Sequence, residues 1–318
     1  MENNINIGGS TLTKENDTKC APSKEYEDGS CLKIDALKNL AKIFNATHNE
    51  NINIKQSKEN LVDQLEDKMK EKYNCNDQIC WTKQEFINKL DEDILEDIMD
   101  HTFLPEGPGK KHGWLSTSNI NEVIEQYHDI HKDFVFLGAV PYDFDDLKQL
   151  EIKDLNFTKL EKDGKHKIGM VINLDEHYKA GSHWVALFAD LKQKQVYFFD
   201  SVGKVPGHRI RKFVNRITKY LYRKKYNKDL DVNDVLKEMK NIDTTNMNQK
   251  YVNNLLKGGF DIRYNHIQHQ FNNSECGVYS INFILRLVEG ESFDNIINNI
   301  TKDEVMNKNR KIYFRNIN

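Results

Sequence analysis

The spacing of apolar residues changes along the chain, and the changes mark its parts. The first two dozen residues offer little to bury and predict a disordered tail over 1–24. From Leu32 the spacing turns helical. Leu32, Leu37, Leu40, Ile43 and Phe44 share one face, a short extended stretch follows at Asn51 to Lys55, and Leu61, Val62, Leu65 and Met69 form a second stripe. Thr82-Lys83-Gln84-Glu85 reads as a capping box, with Trp81 and Phe86 as its hydrophobic staple. It predicts a third helix that buries Phe86, Leu90, Ile94, Leu95 and Ile98. Helix, extended stretch and helix together are loosely similar to small SAP-like modules, some of which bind nucleic acid. Periodicity alone favours a packing or protein-binding element. TFLPEGPGKKHG, rich in Pro and Gly, closes this region and predicts an all-helical domain over 25–102.

Beyond it the texture becomes mixed. WLSTSNINEVIEQY predicts a helix with Ile120, Val123, Ile124 and Tyr127 on one face. FVFLGAV from Phe134, IGMVINL from Ile168, HWVALFADL from His183 and QVYFFDS from Gln195 are short and rich in β-branched and aromatic residues, as strands are. A polar turn between the last two predicts a hairpin. FDIRYNHI from Phe260 is a further strand, and helices are expected from about Pro206 and about Cys276. The pattern predicts an α+β domain over 103–318.

Composition narrows the classes. A net charge of -3 gives the whole chain no attraction for nucleic acid or anionic membrane. No apolar run is long enough to span a bilayer, and the N-terminus carries no signal peptide. With five cysteines, an odd number, the expectation is a reduced, intracellular protein without disulfides. Cys75 and Cys80 lack a second ligand pair at zinc spacing, so packing rather than metal is expected there.

The chemistry gathers at the ends of the strands. In QHQFNNSECGVYS a lone cysteine, Cys276, stands where a polar loop becomes a helix. A buried structural cysteine belongs inside an apolar run, whereas a helix N-terminus favours a thiolate. His183 starts one strand of the hairpin and Asp200 ends the other, so pairing brings them together despite their separation. His183 would take the proton, Asp200 would fix its tautomer, and Gln270, with the Cys276 backbone N–H, would face a developing oxyanion.

These residues resemble a family. His183-Trp184, the Asp200 closing the next strand and Gln270 ahead of Cys276-Gly277 are similar to the signature of the ubiquitin-like-protein proteases, the superfamily of SUMO deconjugases and the adenovirus proteinase. Trp114-Leu115 before a helix is similar to its upstream element. FVFLGAVPYDF, RYNHIQHQ and NSECGVYS resemble more closely the polyprotein-processing cysteine proteases of large DNA viruses such as African swine fever virus. The resemblance covers roughly Phe103 to Glu289 and extends to Cys80-Trp81.

The resemblance implies a mixed twisted sheet flanked by helices, with the catalytic Cys at a helix N-terminus. It implies cleavage after Gly-Gly, with Trp184 roofing a narrow tunnel, Trp114 also binding substrate, and no metal or cofactor. The substrate would be a viral structural polyprotein, processed during virion maturation in the virus factory of the host cytoplasm and in the virion. Asp200 stands where the swine fever virus enzyme has Asn and the SUMO proteases have Asp. A ubiquitin-like deconjugase is therefore the alternative, with an acyltransferase or a binding module on the same scaffold behind it. Two further expectations remain. Arg209, Arg211, Lys212, Arg216, Lys219 and Arg223 surround an apolar helical stripe and form a candidate nucleic-acid face. Gly8-Gly9-Ser10 has the form of a self-processing site.

Overall fold

The computed structural model describes residues 19–110, 112–227, 229 and 259–315. The chain divides into two compact units between Glu106 and Gly107, and Tyr313–Arg315 belong with the first. The Gly9 site lies outside the described residues.

The first unit holds α1 (Ile34–His48), α2 (Lys58–Tyr73), α3 (Gln78–Thr82) and α4 (Glu92–Asp100). Leu37, Leu40 and Phe44 pack with Leu61, Leu65 and Met69, and Trp81, Phe86 and Ile98 complete the core. The stretch after α1 is irregular rather than a strand. Asn45 holds Ile52 there through both its amide atoms, at 2.8 and 3.0 Å, so the backbone is paired without a sheet.

Three expectations are corrected here. Thr82 does not cap a helix: it ends α3, and its hydroxyl donates to the Ile79 carbonyl, while Asp77 caps that helix through Cys80 N at 2.7 Å. The expected long helix is split into a 3-10 turn at Glu85–Lys89 and α4, because Leu90 adopts an extended conformation that buries its side chain. Residues 19–24 are no tail. Ala21 N donates to Thr102 O, Leu104 N donates to Lys19 O, and Lys24 pairs with Asp97.

The cysteines are the fourth correction. Cys20–Cys31 and Cys75–Cys80 are disulfides, each with Cα atoms 5.4 Å apart, and Cys276 is the free cysteine. The odd count of five is two disulfides and one thiol, so it did not imply a reduced chain. The fold brings each pair within bonding reach on either side of a turn.

The second unit is built on a five-stranded mixed sheet in the order β1 (Phe134–Val140), β2 (Lys167–Asn173), β3 (Trp184–Asp190), β4 (Gln195–Phe199) and β5 (Asp261–Tyr264). The outer pairs are parallel and the inner pairs antiparallel, so β3 and β4 form the expected hairpin. Alternation along the strands gives the sheet two buried faces. Ile168, Met170, Ile172, Val185, Leu187, Val196 and Phe198 meet Ile210, Phe213, Val214 and Ile217 of α7 (His208–Tyr226). The other face meets α8 (Cys276–Val288), all of whose residues are buried. Phe199 stacks on Phe283 at 4.7 Å, and an added Cβ on Gly169 would lie 3.0 Å from Ile284, so glycine permits the close approach. α5 (Thr117–Glu125), opened by a Ser116–Asn119 capping box, and α6 (Phe157–Lys162), α9 (Phe293–Asn298) and α10 (Asp303–Tyr313) complete the described helices.

No described helix is long and apolar enough to cross a membrane. The outer face of α7 is less open than its sequence implies. Arg209 pairs with Asp145 and Asp146, Lys212 with Asp145, Lys224 with Glu161, and Arg223 with Asp229. Arg211 donates to the Pro206 carbonyl, and Arg216 to the carbonyls of Ile152 and Leu155. Lys219 is exposed.

Candidate active site

Antiparallel pairing of Ala186 with Phe199 makes the residues before β3 and after β4 emerge at one end of the sheet. His183 and Asp200 are those residues. His183 Nε2 lies 2.7 Å from Asp200 Oδ1. The Cys276 thiol acts on the same imidazole and raises its pKa together with Asp200, and Nδ1 is the ring nitrogen that Asp200 leaves open. Burial opposes a charge on His183, but the hydrogen bonds to Asp200 and Cys276 and the charges of those partners outweigh it, lifting the pKa from 6.5 to about 9. The ring is therefore protonated at neutral pH.

Asp200 is held as firmly as it holds. Its N–H donates to Asn265 Oδ1 at 2.8 Å, and Asn265 Nδ2 returns a bond to the Asp200 carbonyl at 2.7 Å. Val202 N donates to Asp200 Oδ1 at 2.8 Å. Asn265 is fully buried, and sequence reading passed over it. Its one signal was position: it is the first residue beyond β5, where a polar amide interrupts the predicted strand. The strand ends at Tyr264; the Asn265 N–H still donates to the Phe198 carbonyl at 3.1 Å, while its side chain is taken by the Asp200 backbone.

Gln270 is buried and tied to the residue after Asp200. Ser201 Oγ donates to Gln270 Oε1 at 2.6 Å, and the Gln270 N–H donates to Ser201 O at 2.8 Å. Its Nε2 donates to the Asn272 carbonyl at 2.5 Å. Asp303 fixes the same loop by accepting from Phe271 N and Asn272 N at 2.8 and 2.9 Å. Sequence reading also missed Asp303 and Ser201.

Cys276 is the first residue of α8, with Glu275 as N-cap. The first amides of a helix have no intrahelical acceptors, so this end offers N–H donors and the positive pole of the helix dipole. Leu115 packs onto the next residue: an added Cβ on Gly277 would lie 3.0 Å from Leu115 Cβ. Trp184 is buried, and its Nε1 donates to the Leu115 carbonyl at 2.9 Å. Trp114, one residue earlier, is 57% exposed. The sheet end, the α8 terminus and the strand of chain before α5 thus bring His183, Asp200, Cys276 and Trp184 together. The set can attack a carbonyl through sulfur, shuttle one proton, and offer donors to an oxyanion.

Comparison with known proteins bears on the family and the fold. The model of the Ulp1 protease family, C-terminal catalytic domain, matches residues 163–318. A protein of Acanthamoeba polyphaga mimivirus named as a thiol protease is 33% identical over 313 residues, covering 93% of each chain. A SUMO-1 cysteine protease of African swine fever virus is 22% identical over 263 residues, covering 77% of this chain and 85% of that one. The crystal structure of the swine fever virus protease superposes with a TM-score of 0.56 at 20% identity, covering 82% of this chain and 92% of that chain, which is agreement in fold.

Proposed function

The chain belongs to the Ulp1 family of cysteine proteases, and from that premise we propose that it is an endopeptidase cleaving after Gly-Gly in viral structural polyproteins. It acts during virion maturation, in the virus factory of the host cytoplasm and in the virion. One observation carries the reading: His183 is hydrogen-bonded to Asp200 at 2.7 Å, and Cys276, at the start of α8, raises the pKa of the same ring.

The Cys276 thiolate attacks the scissile carbonyl, and a carbon–sulfur bond forms as the carbonyl π pair moves onto oxygen. The Cys276 N–H and Gln270 Nε2 receive that oxyanion. The C–N bond then breaks, with the electron pair leaving on nitrogen and the His183 proton completing the amine. Water, deprotonated by His183, hydrolyses the thioester and returns the thiol. Asp200 holds the ring in the tautomer and orientation both steps require. Trp184, buried and tied to Leu115 beside Gly277, supports a tunnel too narrow for a substrate side chain.

A deconjugase of ubiquitin-like modifiers is the second reading. Asp200 at the third position and the likeness to the SUMO-1 cysteine protease of African swine fever virus favour it. The test is cleavage of Gly-Gly-x peptides and of a SUMO conjugate by the wild type and by Cys276→Ala. Peptide cleavage by the wild type alone supports polyprotein processing. Cleavage of the conjugate alone replaces it with deconjugation, and silence on both substrates removes the Gly-Gly reading.

A further inference from the structure

Within the catalytic unit, one buried cation touches three parts of the site at once. Arg310, on α10, is 0% exposed. Its Nε donates to Glu275 Oε2 at 2.8 Å, Nη1 to the Gly113 carbonyl at 2.8 Å, and Nη2 to the Ser274 carbonyl at 2.9 Å. Ser274 and Glu275 lead directly into Cys276, and Gly113 leads into Trp114 and Leu115. The guanidinium fork is therefore bonded to both segments of chain that meet beside the nucleophile.

Glu275 explains why such an anchor matters. Five described helices have an N-cap side chain that accepts an amide of the first turn: Ser57, Asp77, Ser116, Asn156 and Ser292. The N-cap of α8 makes no such bond, although it carries a carboxylate. A free Glu275 side chain would be drawn to those amides by hydrogen bonding and by the helix dipole. There it would place negative charge where an oxyanion must form. Instead its Oε2 is taken by Arg310 and its Oε1 by Asn307 Nδ2 at 2.9 Å and Ser274 Oγ at 2.8 Å. A fully buried ion pair persists only when its remaining hydrogen-bonding capacity is met, and here it is.

We infer that Arg310 is a positioning residue for transition-state binding: it draws the Glu275 carboxylate away from the α8 terminus, fixes the Ser274–Glu275 peptide that leads into the Cys276 N–H, and holds the Gly113–Leu115 segment against it. The inference rests on Cys276 as the nucleophile, but not on the identity of the cleaved protein. Arg310 does not touch His183 or Asp200, so the proton-transfer pair is independent of it.

That independence gives the test. Arg310→Lys keeps the charge opposite Glu275 but has no planar fork for the two carbonyls. Two reagents are compared on the full chain. Iodoacetamide alkylates Cys276 without forming an oxyanion. Acetylglycinal adds reversibly: sulfur bonds to the aldehyde carbon, the carbonyl pair becomes an alkoxide, and the proton passes to it through His183. Arg310→Lys is expected to keep the alkylation rate within about twofold of wild type. It is expected to weaken acetylglycinal binding by about tenfold to a hundredfold, up to the range of a lost oxyanion donor. Unchanged aldehyde affinity overturns the inference, as does a parallel fall in alkylation, which marks a structural role. Wild type binding the aldehyde no better than Cys276→Ala overturns it too. If Arg310→Lys does not fold, Glu275→Asp, which keeps the charge but shortens the reach, is expected to give the same split at about threefold to tenfold; no split overturns the inference. Wild type that binds the aldehyde yet cleaves neither Gly-Gly-x peptide nor SUMO conjugate sinks the substrate reading, while the Arg310→Lys comparison still decides the inference.

Discussion

The indole N–H of Trp184 donates to the Leu115 carbonyl at 2.9 Å, and the Leu115 side chain fills the space a β-carbon on Gly277 would need. The residue after the proposed nucleophile is therefore a glycine because a buried leucine, tied by its backbone to the tryptophan after His183, occupies its side-chain position.

Gly277→Ala should push Leu115 away from α8. Overpacking of this kind costs about 1–3 kcal/mol, and kcat/KM should fall as Trp184 loses its anchor. The double variant with Leu115→Ala should recover part of both losses. Denaturant unfolding and peptide cleavage measured on the same preparations check this. A fully active, fully stable Gly277→Ala shows that the contact does not constrain the site.

The pH profile follows from His183. Its pKa in the folded protein, about 9, lies above the ordinary 6.5. The imidazolium is thus present at neutral pH and lost as pH rises through about 9, and kcat/KM should fall along that limb. The same proton contributes stability that is whole below about pH 6.5 and lost as pH climbs through about 9. Asp200→Asn should move the alkaline limb downward and lower kcat/KM by about 10²–10⁴. An unmoved limb would mean that another group governs the ring.

Asn265→Ala leaves the buried Asp200 N–H without its acceptor. The expected loss is about 1–3 kcal/mol of stability, with an activity loss that exceeds the change in folded fraction, because Asp200 is no longer fixed. Activity that merely tracks the folded population would make Asn265 a structural residue only.

The disulfides are read by alkylation and mass. Denatured but unreduced protein should take up one iodoacetamide group, at Cys276, and reduced protein should take up five. Reduction should lower the melting temperature, since each short closed loop contributes about 2–4 kcal/mol. Five groups added before reduction would return the cysteines to the thiol state expected from composition.

The sequence by itself determined the strands, the hairpin with His183 and Asp200 at its ends, and Gln270 and Cys276 beyond the last strand. Alternation fixes which face of a strand is buried, and hairpin pairing needs only a polar turn between two such runs. That logic put His183 beside Asp200 and Cys276 at the head of a helix, and the structure has both arrangements. Local signals failed where a residue's role depends on a distant partner. Thr82 matched a capping pattern, yet Ile79 takes its hydroxyl, and burial of Leu90 breaks the helix that the pattern opened. The basic face of α7 looked free because its acidic partners lie far away along the chain, at Asp145, Asp146 and Glu161. Asn265, Asp303 and Arg310 carry no motif, because each acts by bonding a main-chain atom or a carboxylate on another segment. Periodicity reports which side of an element is dry. Only the tertiary structure decides which buried polar atoms meet across that interior, and here those meetings hold the Asp200 backbone, the Gln270–Ser274 loop and the first turn of α8 in place.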